Sequence, residues 1–319
     1  MSYTGPGFDP PQPRRSRRGP LTMAFAALVP GALLGWAVYA AVGGGDERPG
    51  SAAASPSLSP SASASASASA TSRTSSPAPS ASSEDAKPSA SAAASGPLKG
   101  KVVVIDPGHN PENFKHTAEI NRQVDIGTNR KECDTTGTST NDGYAEADFT
   151  LDVAHRMRAL LEEEGATVKL TQDADRPFGP CVDERARIGN KAKADAVVSI
   201  HADGSGTGNR GFHVILPGAV HAGAADTRAI VGPSGDLGTR IAGNFVRVTG
   251  SAPSNYVGGG TGLVTRKDLG GLNLSTVPKV FIECGNMRDS KDAALLTSGA
   301  WRQKAAQGIS DGIVSFLRG

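Results

Sequence analysis

Residues 46–98 are almost wholly Ser, Ala and Pro with a few charges, and this run decides where a fold can form. Such a stretch holds too few bulky apolar side chains to offset the entropy of ordering it, so it reads as a flexible linker, with bounds 43–98. From Lys99 onward 221 residues remain, enough for one sizeable core and too few for two comfortable ones. The formal net charge of +2 is small and part of the basic excess sits in the N-terminal "RRSRR", so nothing suggests a nucleic-acid surface and no nucleic-acid partner is expected.

Upstream, residues 21–42 run for 22 positions without a charge, a helical length of about 33 Å that matches a bilayer's hydrocarbon. Arg14, Arg15, Arg17 and Arg18 precede it, and Asp46 and Glu47 follow. The bias of basic residues toward the cytoplasm makes 1–20 a cytoplasmic N-terminus and places the C-terminal domain outside a single-pass membrane anchor. Two other readings stay open: a signal peptide cleaved near Val38-Tyr39-Ala40, and a twin-arginine export signal at "SRRGPLT". All three export residues 99–319. A linker of about 50 residues would give that domain an r.m.s. reach near 40 Å.

Beyond Lys99 the pattern changes. "KVVVIDPGHN" is a run of β-branched residues closed by a Pro-Gly turn, as expected of a strand buried on both faces. Similar runs recur at "ATVKLT", "DAVVSIHAD", "GFHVILP" and "KVFIEC". Helical periodicity lies between them: from Glu146 through Phe149, Val153, Met157, Leu160 and Leu161 to a stop at Gly165, over 182–194, through Leu237, Ile241, Phe245 and Val248, and over about 300–317. Alternating strands and helices predict a single α/β domain with a mainly parallel twisted sheet flanked by helices. Function should then gather beyond the carboxyl ends of the strands.

Those ends are well stocked. The first strand closes on Asp106, Pro107, Gly108 and His109, another on His201 and Asp203, and the last on Glu283. Glu146 opens a helix between the first two, at the positive end of its dipole. Two imidazoles and a carboxylate on one edge form the ligand set of a catalytic zinc site, with Glu283 free to move protons. Duller readings compete: a hydrogen-bonded loop His, a helix-start Glu, or Glu283 paired with Arg185 or Arg187. Asp106 could orient an imidazole or simply shape a turn. His116, His155, His213 and His221 are not expected to bind metal.

In these same pieces, "VVVIDPGHN", "EADFTLDVA", "VDERARIGNKAKADAVVSIHAD" and "STVPKVFIECGNM", residues 101–319 resemble the zinc-dependent N-acetylmuramoyl-L-alanine amidases with an amidase_3 type catalytic domain. The resemblance implies one Zn2+ per domain held by His109, Glu146 and His201, Glu283 as catalytic acid/base, and peptidoglycan as substrate. The chain departs from the family pattern at Asp203, where Asn is usual, at Cys284-Gly285 in place of Gly-Phe, and at Gln172 in place of Arg. The long polar stretch 110–145 is expected to form a functional loop over the site. Of the three cysteines, Cys133 and Cys181 lie in loop-like sequence and can close a bridge, while alternation turns Cys284 away from Glu283 as a buried free thiol. Another zinc hydrolase, a non-catalytic wall-binding module and a glycosidase using Glu146 and Glu283 are the rival classes. No regulatory protein partner is legible.

Overall fold

In the computed structural model, residues 96–319 are described; the basic N-terminus, the membrane span 21–42 and nearly all of the linker lie outside the described residues. Among the described residues no helix is long and apolar enough to cross a membrane. Packed structure begins just before Lys99: Leu98 is fully buried, and its N–H donates to the Glu164 carbonyl at 2.9 Å.

The strands are β1 (Val102–Pro107), β2 (Gln123–Asp125), β3 (Arg130–Glu132), β4 (Thr167–Leu170), β5 (Ala196–Asp203), β6 (His213–Pro217), β7 (His221–Ala222), β8 (Ala225–Asp226), β9 (Leu263–Arg266) and β10 (Lys279–Asn286). The helices are α1 (Thr117–Ile120), α2 (Glu146–Glu163), α3 (Val182–Ala192), α4 (Val231–Thr249), α5 (Gly270–Asn273), α6 (Ser290–Leu296) and α7 (Gly299–Arg318). Six strands form the central sheet in the order β4-β1-β5-β10-β6-β9. Strands β4, β1, β5 and β10 run parallel, β6 is antiparallel to β10, and β9 follows β6. The expected mainly parallel α/β domain is therefore present. His221 sits in the short β7–β8 hairpin.

Alternation along the buried strands gives the sheet two different faces. Val103, Ile105, Val198, Ile200, Val280, Ile282 and Cys284 pack on one side against Phe149, Val153, Met157 and Leu161 of α2, Leu237, Ile241 and Phe245 of α4, and Ile309 and Ile313 of α7. On the other side Val104 and Val197, with the partly buried Val102, meet α3 and its neighbours. Beyond them that face turns polar, through Asp106, Ser199, His201, Lys279 and Glu283. Helix α3 has 11 residues and covers only the amino-terminal half of this face, which leaves its carboxyl edge for a site.

Two elements extend past their sequence signals. Helix α4 begins at Val231 rather than near Leu237 because Pro233, whose missing N–H is harmless in a first turn, and Gly232 and Gly235 hide its start. Strand β9 is a short edge strand after a glycine-rich turn and lacks the apolar run that marks the central strands.

The polar face is held by a buried ion network. Asp106 Oδ1 accepts from Arg185 Nη1 at 2.8 Å and Thr171 Oγ1 at 2.7 Å, and Asp106 Oδ2 accepts from Lys279 Nζ at 3.0 Å and Ser199 Oγ at 2.9 Å. Arg185 spends its remaining donors on Asp134 Oδ2 and the carbonyls of Pro107, His109 and Pro180, at 2.6–2.9 Å. Burial pushes the Asp106 and Asp134 pKa values up, but the cations and hydrogen bonds outweigh it and hold both below the usual carboxylate range. Folded-state values below the unfolded ones stabilise the protein above about pH 4, and this contribution fades as pH falls below that point. Removing one partner strands a buried charge, so Arg185→Ala is expected to cost about 3–5 kcal/mol in denaturant unfolding. Unfolding titrations at pH 7 and pH 3 check both statements, since the variant's deficit should shrink in acid.

Candidate active site

Gly108, between β1 and His109, brings the backbone against the His201 ring: a Cβ there would lie 2.3 Å from His201 Cε1. His109 itself takes a left-handed backbone conformation, φ 63°, which turns its imidazole back over the sheet edge. Glu146 is the first residue of α2. His201 lies near the end of β5, directly beside Glu283 in the parallel register with β10. Four segments far apart in sequence thus meet at one edge.

His109, Glu146 and His201 each offer one ligand atom, all within 4.8 Å of one another. Glu146 Oε2 is 3.2 Å from His109 Nε2, and Glu146 Oε1 is 3.0 Å from His201 Nδ1. The rings stand edge to face with centroids 5.0 Å apart, and Phe281 stacks on His201 at 5.2 Å.

The hydrogen bonds fix which nitrogen of each ring carries a proton. His109 Nδ1 lies 3.1 Å from the Thr135 carbonyl, which can only accept, and 3.6 Å from Asp134 Oδ1. Nδ1 therefore carries the hydrogen and Nε2 presents its lone pair. Ser199 Oγ gives its hydrogen to Asp106, so at 3.2 Å it accepts from His201 Nε2, leaving His201 Nδ1 as the lone pair. Both lone pairs face carboxylate oxygens, an arrangement that repels unless a cation or proton lies between. Bonds of 2.0–2.1 Å to a tetrahedral zinc would separate its ligands by about 3.3 Å, so this donor set fits a zinc ion with one position left open.

Glu146 is held on both oxygens. Thr138 N donates to Oε2 at 2.9 Å and Ala202 N to Oε1 at 3.2 Å. Each oxygen keeps a further lone pair toward an imidazole nitrogen, His109 Nε2 for Oε2 and His201 Nδ1 for Oε1, which is the placement of a metal ligand rather than of the free partner carboxylate a glycosidase needs. Gly137 completes the cradle, since a Cβ there would lie 2.9 Å from Glu146 Oε2. Burial alone would suppress the His109 imidazolium, but Glu146 and Asp134 more than offset it and raise its pKa well above the ordinary value. A metal ion competes for the same nitrogen, so affinity falls as pH drops.

Glu283 shares a cavity of about 330 Å³ with the three residues, Thr138, Asp203 and Arg266. Its Oε2 has no hydrogen-bond partner. Burial first, then the charges of Glu146 and Asp203, push its pKa well above the usual carboxylate range. It is not paired with Arg185 or Arg187: Arg185 serves Asp106 and Asp134, and Arg187 bonds Asp183. A second cavity, about 230 Å³, continues past His109 and His201 to Val182, Leu269, Lys131 and Asp268, so the two imidazoles sit in the middle of a groove.

A search against family models matches residues 103–315 to Amidase_3, N-acetylmuramoyl-L-alanine amidase. The chain belongs to this amidase family. The N-acetylmuramoyl-L-alanine amidase Rv3717 of Mycobacterium tuberculosis is 42% identical over 222 residues, covering 69% of this chain and 88% of the relative. Among solved structures, the amidase Ami1 of Mycobacterium smegmatis has 41% identity and a TM-score of 0.63, covering 69% of this chain and 98% of its own. The apo form of Ami1 from Mycobacterium abscessus has 40% identity and the same TM-score, with 69% and 100% covered.

Within the amidase domain, Asp106 contacts an imidazole only through Ser199, whose Oγ donates to Asp106 and lies against His201 Nε2. Gln172, one of the departures from the family pattern, donates to the His109 carbonyl at 3.0 Å. The 110–145 stretch supplies Asp134, Thr135, Gly137 and Thr138 to the site and is pinned by the Cys133–Cys181 disulfide, while Cys284 is a buried free thiol. Of the remaining histidines, His116 packs on Phe178, while His155 and His221 are half-exposed or exposed and pair with Asp173 and Asp226. His213 is buried, with its pKa pushed down to about 4 by desolvation. Ser199, Asp134 and Thr135 carried no sequence signal. Ser199→Ala should weaken metal affinity by about 10–100-fold while leaving His109, Glu146 and His201 in place, as a competitive chelator titration would show.

Proposed function

We propose that this chain hydrolyses the amide bond joining N-acetylmuramic acid to L-alanine in peptidoglycan, with zinc held by His109, Glu146 and His201 and Glu283 moving the proton. The observation that carries the assignment of roles is the pair of imidazole lone pairs, on His109 Nε2 and His201 Nδ1, that converge on the Glu146 carboxylate next to the buried, unpartnered Oε2 of Glu283. Family membership supplies the reaction; the geometry supports the division of labour.

When bound, zinc lowers the pKa of water to about 7 and polarises the scissile carbonyl. The chain's own groups do the rest. Glu283 receives the proton of the attacking water and returns it to the departing alanine nitrogen, without which the amine leaves poorly. An environment that already lifts the Glu283 pKa suits a group that must hold that proton between the two steps. Thr138 N and Ala202 N keep Glu146 oriented, and the Ser199 and Thr135 contacts keep both imidazoles in the tautomer a metal requires. The groove on either side leaves room for a glycan on one flank and a peptide on the other.

The uncharged segment 21–42 supports an exported domain tethered to the cell membrane, and a disulfide between Cys133 and Cys181 agrees with an oxidising compartment. A flexible linker would then let the domain search the wall close to the membrane.

Digestion of isolated cell wall by the purified protein tests the reading. An amidase releases new alanine amino termini and leaves the glycan strands intact, whereas a peptidase cutting within the stem yields other termini. Activity should vanish with chelator and return with zinc. Glu283→Gln should keep its zinc content and melting temperature while turnover falls about 10²–10⁴-fold; near-normal turnover would remove Glu283 from this role.

A further inference from the structure

Strand β10, which carries Glu283, lies between β5 and β6 in the sheet. Glu283 therefore has a side neighbour on each flank: His201 in the parallel register with β5, and His213 in the antiparallel register with β6. Just past Glu283 the pairing with β5 is irregular, and it resumes only at Asn286 opposite Asp203. The ladder with β5 thus stops supporting β10 immediately after the proposed base.

Tyr256 reaches across that interval. Its hydroxyl donates to Asp203 Oδ2 at 2.7 Å, at the end of β5, and its ring stands edge to face with His213 of β6, centroids 5.9 Å apart. Burial, Asp203 and then Glu283 raise the phenol's pKa, so the hydroxyl remains the donor. The loop bearing Tyr256 is anchored behind it: Ser254 N donates to the Phe212 carbonyl at 2.7 Å and Asn255 Oδ1 accepts from Arg210 N at 2.9 Å. Asp203 Oδ1 accepts from Gly204 N, so both oxygens of this carboxylate are occupied.

We infer that Tyr256 is a positioning residue for Glu283: a strut between the two strands that flank β10, which also restrains the Asp203 carboxylate lining the same cavity. Without the hydroxyl, Asp203 Oδ2 loses its donor and an uncompensated carboxylate turns within a cavity shared with Glu283 and Arg266. Asn at this position carries no charge and brings its own donor, so it depends less on the phenol. The Asp203–Tyr256 pair is then a matched set, in which the acid creates the need for the tyrosine.

This inference rests on the amidase reading, and a double-mutant cycle in the full chain, assayed on a soluble muropeptide, tests it separately. Tyr256→Phe removes one oxygen from a half-buried ring and leaves its packing on His213. In the Asp203 background it should lower kcat roughly tenfold, with KM changed less than about twofold and zinc content unchanged. In the Asp203→Asn background the same change should cost less than about threefold. Equal losses in both backgrounds, a loss confined to KM, or no loss with Asp203 present would each overturn the role of Tyr256. Wild-type protein without amidase activity would instead sink the reading beneath it.

Discussion

The site depends on a carboxylate–guanidinium–carboxylate bridge that is buried before any substrate arrives. Arg185 links Asp106, at the end of β1, to Asp134, in the long loop after it. Burying these charges carries a large desolvation penalty, and an apolar cluster of the same volume would fold as well or better. What the ions add is orientation. Asp134 stands behind His109, Asp106 acts on His201 through Ser199, and Arg185 also grips the carbonyls of Pro107 and His109. One guanidinium thus fixes both imidazoles and the turn that joins one of them to the sheet, which a cluster of methyl groups could not do.

The residues proposed to carry the chemistry were legible in the sequence for a physical reason. An apolar strand buried on both faces has no ordinary use for a polar end, so His109, His201 and Glu283 stood out against their own strands, and Glu146 stood out at a helix start. Their supports did not. Ser199 falls on the polar side of an otherwise apolar strand, where one hydroxyl looks like tolerated packing. Asp134 and Thr135 lie in a loop full of similar residues, and Arg185 is one of several charges on α3. Which of these reaches an imidazole depends on sheet order and on the path of the 110–145 segment, and neither leaves a periodic trace. The edge strand β9 and the proline-masked start of α4 escaped because exposed edges and first turns tolerate residues that conceal them.

The two faces of the sheet divide the labour along a single strand. On β10, Ile282 and Cys284 sit in the apolar layer with α2, α4 and α7, while Lys279 and Glu283 look toward the ion network and the cavity. His201 and Glu283 are therefore each next in sequence to residues locked in the core, Ile200 and Ala202 for the first and Ile282 and Cys284 for the second, so their backbone has little freedom. The carboxyl edge departs from this rule, since the pairing of β10 with β5 is irregular beyond Glu283 and the protein supports the strand from the side.

The Cys133–Cys181 bond belongs to the same logic. Cys133 immediately precedes Asp134, and Cys181 immediately precedes α3, the helix that carries Arg185. The covalent link therefore joins the loop and the helix within a few residues of the point where their ions meet. An ion pair between two mobile segments is worth little, because ordering the segments consumes most of the attraction. A crosslink removes that cost beforehand, leaving the Asp134–Arg185 contact to orient His109 and not to hold the loop.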